Sequence, residues 1–468
     1  MSARLSQLIY VVLVLLVLLA PIPLGSNREW SWSASAFLAG GLGICWLVSG
    51  FSRSAVLNSR LHPAVPALFG LALIWIVFQF STWSPAGWHH PLWSMTGSTL
   101  GEQLPGNISL APEAGWTALM RLMTYALVFL LALQLGRKEK YARAVFGALT
   151  LGGLAYVVFG LVSYWGGYHA AWLFGEQTMP HDVRSTFINR NHFATWLGIT
   201  IVCAVAYFYQ RMARPEVKPY AVPRGKADRF EEFILKAWKP MIAVLLMVTA
   251  LVLTHSRGGF VSMVAGLLVF MWLLDRRMSR RRDSHSRKFS WLIGGTAMFV
   301  ASTAFFLSSE VLLDRINRTD ISTEERFAVY ANINRAIGDN PVLGFGYGTF
   351  ADSFRLYDQN EAPVHYDRAH NTWLENAFEL GIPAAILLFA ALLGITLTCW
   401  RGVHRRHRDW VYPAAGVGVS VLVGVHALVD FSLQIPAVAM LYALVMGVAC
   451  AQSYSSIGHT GGNARGQR

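Results

Sequence analysis

The sequence is built largely from apolar runs, each about long enough to cross a lipid bilayer as a helix of roughly 20 residues. Nearly all of these runs lack charged residues, and only 14% of the chain is charged, against about 25% in an ordinary soluble domain. Because the bilayer core offers no water, each spanning backbone must satisfy its own hydrogen bonds, which favours helices. We therefore predict an all-α, polytopic membrane protein with twelve spans, in which residues 1–468 form a single helical membrane domain. The predicted spans are about 7–25, 33–51, 62–82, 116–136, 144–165, 192–210, 240–255, 258–275, 290–308, 372–400, 411–429 and 436–453.

The distribution of positive charge predicts the orientation. The net charge is +13, but Lys and Arg are spread over short loops rather than gathered on one face, which argues against a nucleic-acid binder. Every lysine and most arginines fall on one side of the membrane if the N-terminus is cytoplasmic, as in the basic segment 276–288. The positive-inside rule then predicts that both termini are cytoplasmic. The outer loops are longer, and the largest is 309–371.

The spacing of cysteine and histidine residues does not indicate a metal site. The four cysteines lie in or at the ends of apolar runs without paired spacing, so we predict neither a disulfide framework nor a thiolate site. His181 and His192 lack the spacing of paired zinc ligands. We expect the protein to use no metal and no cofactor.

The end of the large outer loop holds a candidate base. Thr372 and Glu375 have the spacing of a capping box that opens a long apolar helix, which places His370 just outside a helix N-terminus. That end carries partial positive charge and free amides, so a phosphate binds readily there. A histidine in this position tends to stay neutral and can accept a proton. The alternative interpretation is that His370 and Asn371 only cap the helix.

A second capping box, from Ser322 to Glu325, predicts an amphipathic helix that lies at the membrane surface and ends at Asn340-Pro341. Arg326 falls in the first turn of this helix, where the helix dipole disfavours a cation. Such a position favours an anionic partner. That partner could equally be Glu325 or another local carboxylate rather than a substrate.

Arg257 interrupts an apolar stretch that is too long for one span and short for two. It therefore lies at the tip of a hairpin near the outer face. An arginine at membrane depth costs about 2.5–3.5 kcal/mol or more, which makes it a candidate functional residue. The alternative is that its side chain reaches the lipid headgroups.

Two further polar clusters fall on the same side. The segment 184–193, with Arg190 and Asn191, opens the sixth span, and it could be an ordinary polar cap. His426 and Asp430 share one face at the outer end of the eleventh span and could simply orient a loop. Because the orientation was derived independently from charge, the shared side of all five clusters indicates one outer site. Outward arginines suit recognition of phosphate oxygens, so the sequence predicts a phosphorylated, membrane-embedded substrate.

These segments resemble the O-antigen ligase/polymerase family over roughly residues 115–440. Each motif is short, and the resemblance depends on their order, spacing and shared side. The motifs are Asn107 to Pro112, Thr186 to Ala194, Ser256-Arg257-Gly258, Glu325-Arg326-Phe327, Asn340-Pro341, Gly344-Phe345-Gly346, His370-Asn371, Leu374-Glu375, Gly381-Ile382, and His426 with Asp430-Phe431.

The resemblance implies a GT-C-like, metal-independent, inverting glycosyltransferase of the bacterial inner membrane with its site on the periplasmic side. It would take a glycan from undecaprenyl diphosphate. By motif, Arg257 and Arg326 would hold the diphosphate, and His370 would activate or position the acceptor hydroxyl. Around them, the resemblance suggests substrate-binding roles for Arg190, Asn191, Asn371 and Glu375, with His426 and Asp430 as supporting residues.

The sequence leaves the identity of the acceptor open. An O-antigen ligase uses a sugar of the lipid A core, a polymerase uses another lipid-linked repeat, and related enzymes use a protein hydroxyl. We expect the ligase reaction. The main non-enzymatic alternative is a polysaccharide or lipid transporter, which would be expected to show repeat symmetry and midplane sites on broken helices. Neither feature is clear in this sequence.

Overall fold

The computed structural model describes residues 3–48, 61–168, 182–212, 226–281, 295, 328–358 and 366–454. Over these residues the protein is all-helical and contains no strand, which confirms the predicted fold class. The α-helices are α1 (Ala3–Leu19), α2 (Glu29–Val48), α3 (Ala64–Phe80), α4 (Pro91–Leu100), α5 (Pro112–Leu135), α6 (Glu139–Gly166), α7 (Arg190–Met212), α8 (Lys226–Leu253), α9 (Arg257–Arg281), α10 (328–339), α11 (Phe350–Ser353), α12 (Thr372–Leu380), α13 (Ile382–Arg405), α14 (Val411–His426) and α15 (Pro436–Gln452).

The apolar helices coincide with the predicted spans. Helices α2, α5, α6, α7, α9 and α13 are long and apolar enough to cross a membrane, and α1, α3, α8, α14 and α15 contain shorter apolar stretches. Together they correspond to eleven of the twelve predicted spans. The ninth, about 290–308, lies outside the described residues apart from Gly295. The chain is therefore a multi-pass helical membrane protein.

The tenth span differs from its prediction. We expected one helix over 372–400, but the structure breaks it at Gly381 into the short helix α12 and the long helix α13. Gly381 has φ +76°, and the carbonyl of Val342 lies where a side chain would begin. Pro383 then sits in the first turn of α13, where its missing N–H costs nothing. The break leaves α12 free to lie over the end of the bundle.

Helix α7 is the centre of the bundle. All of its residues from His192 to Ala206 are buried, and it contacts α6, α8, α9, α14 and α15. Helix α9 packs along α14, and α5 packs along α15. We call the end of the bundle where α7 and α9 begin and α8 and α14 finish the outer end. Side chains on these four helix termini therefore meet at one place.

A small aromatic core holds the outer segments on this end. Phe345 and Phe378 stack with ring centroids 4.5 Å apart, and Phe350 and Phe354 pack beside them. The fully buried Gln79 of α3 donates hydrogen bonds to the carbonyl oxygens of Leu343 (2.7 Å) and Glu379 (2.9 Å). These contacts tie the glycine-rich loop 343–350 and α12 to α3.

The glycine-rich loop 343–350 makes close backbone contacts. Gly344 has φ +67° and Gly346 has φ +107°, and a Cβ on either would clash with a neighbouring segment. The approaching groups are the backbone around Glu379 and the side chain of Ser109. The glycines therefore serve the packing of the protein against itself.

Candidate functional site

Three histidines surround one buried carboxylate at the outer end. His370 Nδ1 lies 3.7 Å from Asp430 Oδ1, His192 Nε2 lies 3.7 Å from Oδ2, and His426 Nδ1 lies 3.8 Å from Oδ2. Asp430 is 1% exposed, whereas the side chain of His370 is 31% exposed. We call Asp430, the three histidines and Ser432 the Asp430 centre. His370 is the member that a substrate can reach.

Hydroxyl groups position the buried half of this centre. Ser432 Oγ donates to Asp430 Oδ2 at 2.6 Å, and Thr195 Oγ1 donates to Ser432 Oγ at 2.9 Å. Thr195 Oγ1 also lies 2.8 Å from His426 Nδ1. Phe431 stands between His192 and His370 with ring centroids 4.7 and 4.9 Å away. Its edge contacts keep the two imidazoles apart and restrict the tilt of His370.

The backbone of His370 is held in an unusual conformation. Its φ of +50° lies in the left-handed region, which is uncommon for residues other than glycine and is enriched at functional sites. Tyr330 Oη donates to the His370 carbonyl at 3.1 Å. On the preceding residue, the Ala369 N–H donates to Glu375 Oε2 at 2.9 Å. The neighbouring segments therefore hold His370 in place.

Glu375 stabilises the loop that carries His370 from inside the protein. It is fully buried, and its second oxygen, Oε1, accepts a hydrogen bond from Arg368 at 3.2 Å. Both carboxylate oxygens are thus engaged by the loop that carries His370. The structure places Glu375 beneath the site, where it supports the histidine.

The capping box that we predicted at Thr372 is wrong by one residue. The N-cap is Asn371, whose side-chain oxygen accepts hydrogen bonds from the N–H groups of Trp373 (3.0 Å) and Leu374 (3.1 Å). Thr372 instead donates its N–H to the Ala427 carbonyl and its hydroxyl to the Asp430 carbonyl, both at 2.9 Å. The tertiary contact with the 427–430 turn therefore outcompetes the local cap.

The environment of Asp430 favours its charged form. Burial alone would raise the pKa of this carboxyl, but the facing His370, the nearby His192 and His426, and the hydrogen bond from Ser432 hold the pKa well below its ordinary value. Asp430 is thus an anion that faces a partly exposed imidazole.

A second buried carboxylate, Asp182, lies at the same end of the bundle. His255 Nδ1 is 2.8 Å from its Oδ1, while Arg190 and Arg184 donate to its Oδ2 at 2.9 and 3.2 Å. Burial raises the pKa of Asp182, but these three partners together lower it to about 2. We call these four residues the Asp182 cluster. It joins the segment before α7 to the turn between α8 and α9.

The same turn carries Arg257 to the Asp430 centre. Ser256 Oγ donates to Asn191 Oδ1 at 2.7 Å and accepts the Gly259 N–H at 3.1 Å, so it caps α9. A Cβ on Gly258 would stand 3.4 Å from His426 Nε2, which shows how closely the first turn of α9 approaches the centre. Arg257 is the exposed first residue of this helix, and no described carboxylate pairs with it.

The structure therefore brings together most of the predicted residues. His370, His426 and Asp430 share the Asp430 centre, Arg257 adjoins it, and Arg190 joins it through the 184–193 segment. Arg326 and the capping box before it lie outside the described residues. Within the described part of the chain, no three His, Cys, Asp or Glu side chains are arranged as metal ligands.

Sequence reasoning missed Asp182, Thr195 and Ser432. A signal existed for Asp182, because two arginines close together in an outer segment need a carboxylate, and Asp182 is the acidic residue beside them. Thr195 and Ser432 carried no such signal. A threonine in an apolar helix or a serine in a turn is ordinary until the tertiary structure places a histidine beside it.

Comparison with known proteins adds one finding. Residues 242–389 match the family model described as O-antigen ligase. The matched region contains Arg257, His370 and Glu375, whereas Arg190 and Asp430 lie outside it. A search of curated proteins found no match.

Proposed function

We propose that this chain, whose residues 242–389 match the O-antigen ligase family model, transfers a glycan from undecaprenyl diphosphate to a hydroxyl of lipid A–core at the periplasmic face of the inner membrane. The match to this family model supports a ligase- or polymerase-type glycosyltransferase. The observation that carries the proposal is the pairing of His370 with a buried anionic Asp430 at the end of the bundle where α9 begins with Arg257, with which no described carboxylate pairs. With both termini cytoplasmic, the outer end of the bundle is periplasmic.

His370 is suited to act as the base. Its Nδ1 faces Asp430, so Nε2 is the ring nitrogen available to a substrate. A carboxylate behind an imidazole selects the tautomer with a proton on Nδ1 and stabilises the imidazolium that forms later. Nε2 then accepts the proton of the acceptor hydroxyl.

Arg257 is suited to bind the leaving group. It lies at the N-terminus of α9, where free amides and the helix dipole favour an anion, and no described acid neutralises it. A guanidinium matches two phosphate oxygens at once. Arg326 is proposed to contribute a second guanidinium, and Arg190 to support the site from the Asp182 cluster.

The proposed step is a single displacement with inversion. The acceptor oxygen attacks the anomeric carbon of the donor sugar and loses its proton to His370 Nε2. The bond from the anomeric carbon to the phosphate oxygen breaks, and its electron pair leaves with undecaprenyl diphosphate. Arg257 stabilises the charge that develops on the phosphate.

Metal-independent catalysis is part of this proposal. We expect activity in excess chelator, and a loss that a divalent ion restores would contradict it.

The deciding experiment is an in vitro transfer assay. Purified protein receives undecaprenyl-diphosphate-linked glycan, either with lipid A–core or alone. Transfer onto lipid A–core supports the ligase reaction, while longer lipid-linked chains in its absence identify a polymerase. If neither product forms, protein acceptors and then the transporter alternative are tested.

A matched pair of variants tests the role of Arg257. Arg257→Ala should abolish transfer, whereas Arg276→Ala, near the opposite end of the same helix, should retain it. Arg276 lies 4.2 Å from the Trp272 ring, away from the outer end. Full activity in Arg257→Ala would remove this residue from the site.

A further inference from the structure

A cavity of about 450 Å³ lies between α3, α5, α13 and α15. This volume is within the range of roughly 300–1,000 Å³ that is typical of ligand pockets. Its lining extends along α5 from Ala118 to Leu130, which at 1.5 Å per residue corresponds to roughly 18 Å. The cavity is therefore long enough for an extended hydrocarbon chain.

The two ends of the cavity differ in polarity. Its inner part is lined by apolar side chains such as Val65, Phe69 and Leu392. Polar side chains gather where it approaches the outer end of the bundle. They include Arg121, Tyr125, Tyr347, Arg368 and Glu379.

The polar end has unmet hydrogen-bonding capacity. No described carboxylate pairs with Arg121, and its Nε is buried without a partner. The Tyr125 hydroxyl is also buried without a partner. Arg121 makes a cation–π contact with Trp32 of α2, whose ring centroid lies 4.8 Å from the guanidinium carbon. A partly buried arginine with these surroundings favours an anionic ligand.

The carboxylates nearby do not cancel this positive charge. Glu375 pairs with Arg368 at 3.2 Å. Burial and the neighbouring Glu375 raise the pKa of Glu379 to about 8, which favours its neutral form. The positive charge of Arg121 is therefore not balanced by a described carboxylate at the polar end of the cavity.

We propose that this cavity binds a phosphorylated membrane lipid, with its hydrocarbon chain between the four helices and its phosphate on Arg121 and Arg368. This site is separate from the donor site at Arg257. The binding of a lipid in this cavity is independent of the proposed function. Its role as the second lipid-linked substrate rests on the proposed function.

The position of the cavity relative to the Asp430 centre supports a substrate role. Thr372 and Gln434 line the cavity. Thr372 also donates its hydroxyl to the Asp430 carbonyl at 2.9 Å. The segments that carry His370 and Asp430 thus form the wall between the two sites. A lipid in the cavity would present its headgroup next to the base.

Two glycines offer a matched test. A Cβ added to Gly70, which lines the cavity, or to Gly40 on α2 would meet no atom within 4 Å. Both are half-buried residues of membrane helices. Gly70→Leu should fill the cavity, and Gly40→Leu should leave it open. Thermal unfolding of both variants checks that they fold.

The binding experiment uses the full chain in phosphatidylcholine nanodiscs and radiolabelled undecaprenyl phosphate. We expect wild type and Gly40→Leu to bind it at the cavity and at the donor site. Gly70→Leu should weaken the cavity site because its side chain occupies the space of the lipid chain. Arg121→Gln should weaken the cavity site by roughly 10- to 100-fold, the effect of losing a charged hydrogen bond. Arg257→Ala should weaken only the donor site.

The source of the lipid is tested by competition. Displacement by phosphatidylglycerol as readily as by unlabelled undecaprenyl phosphate would identify a bilayer phospholipid. Displacement by undecaprenyl phosphate alone would identify an isoprenoid lipid. Either result supports a phosphorylated lipid at Arg121.

The outcomes separate this inference from the proposed function. Normal lipid binding by Gly70→Leu and Arg121→Gln would overturn the cavity site, whatever the transfer assay gives. Loss of binding with unchanged glycan transfer would keep the lipid site but overturn its role as a substrate site. Loss of both supports the complete proposal.

Discussion

The two buried carboxylates at the outer end differ in how completely their partners satisfy them. Side-chain nitrogens of His255, Arg190 and Arg184 lie 2.8–3.2 Å from the carboxylate oxygens of Asp182. Asp430 has one short bond, from Ser432, and three imidazoles at 3.7–3.8 Å. The first carboxylate is neutralised by arginines that are always charged, and the second is surrounded by groups that can change charge.

This contrast teaches how one protein can use the same residue type in two ways. A carboxylate whose hydrogen-bonding sites are filled by fixed cations links segments of the fold. A carboxylate that faces a partly exposed histidine without a fixed cation can stabilise that histidine when it takes a proton. We therefore expect the Asp182 cluster to affect mainly stability and the Asp430 centre to affect mainly turnover.

The largest expected effect is that of His370→Ala. Removing the base should lower glycan transfer by roughly 100-fold or more, because general base catalysis contributes about 10²–10⁴-fold. The protein should still insert and unfold at the same temperature. The exposed His62, which precedes α3, provides the control His62→Ala. Equal activity in both variants would exclude His370 as the base.

The next effect is that of Asp430→Asn. The substitution keeps the size of the side chain and removes the charge behind His370. We expect kcat to fall by roughly 10- to 100-fold with little change in KM, since the carboxylate stabilises the protonated histidine. The pH–rate profile should also shift. An unchanged profile together with a lower unfolding temperature would make Asp430 a structural residue like Asp182.

A smaller effect on turnover is expected for Asp182→Asn. This change replaces one carboxylate oxygen by an NH2 group and removes the negative charge that the three donors share, and it should reduce the free energy of unfolding by about 1–3 kcal/mol. Activity should follow the folded fraction, measured by thermal unfolding beside the transfer assay. The exposed Asp352 gives the control Asp352→Asn. If Asp182→Asn abolished transfer without loss of stability, the distinction between the two carboxylates would fail.

The smallest effect concerns the pH dependence of stability. The pKa of Glu379 is raised from its ordinary value of 4.5 to about 8, so folding favours the neutral form. Its contribution to stability is complete below the ordinary pKa and is lost as pH rises towards 8.

Glu379→Gln remains neutral throughout this range. The variant should match wild type at acid pH and have the higher unfolding temperature above about pH 8. Glu102→Gln, at an exposed position, serves as the control. Parallel pH curves for wild type and Glu379→Gln would contradict the shifted pKa.

Much of the fold could be predicted from apolar run length, because each run must satisfy its backbone within one helix. The tenth span was predicted imperfectly, since hydropathy continues through Gly381 and only the close Val342 carbonyl explains the break. The capping box at Thr372 was predicted wrongly for a similar reason, and the N-cap is Asn371, which the sequence offered as an alternative. A capping box is a local pattern, whereas the competing bonds of Thr372 go to a turn more than fifty residues away.

The sequence by itself determined that the chain is a helical membrane protein, which of its residues are polar at one surface, and which family its motifs resemble. These properties depend on hydropathy, charge and local spacing. Only the tertiary structure decided that His370 faces Asp430, that Asp182 joins Arg190 to His255, and that Arg121 lines a cavity with Arg368. These pairs come from segments far apart in the chain, and hydrogen bonds and ion pairs act only when packing brings their atoms within a few ångströms.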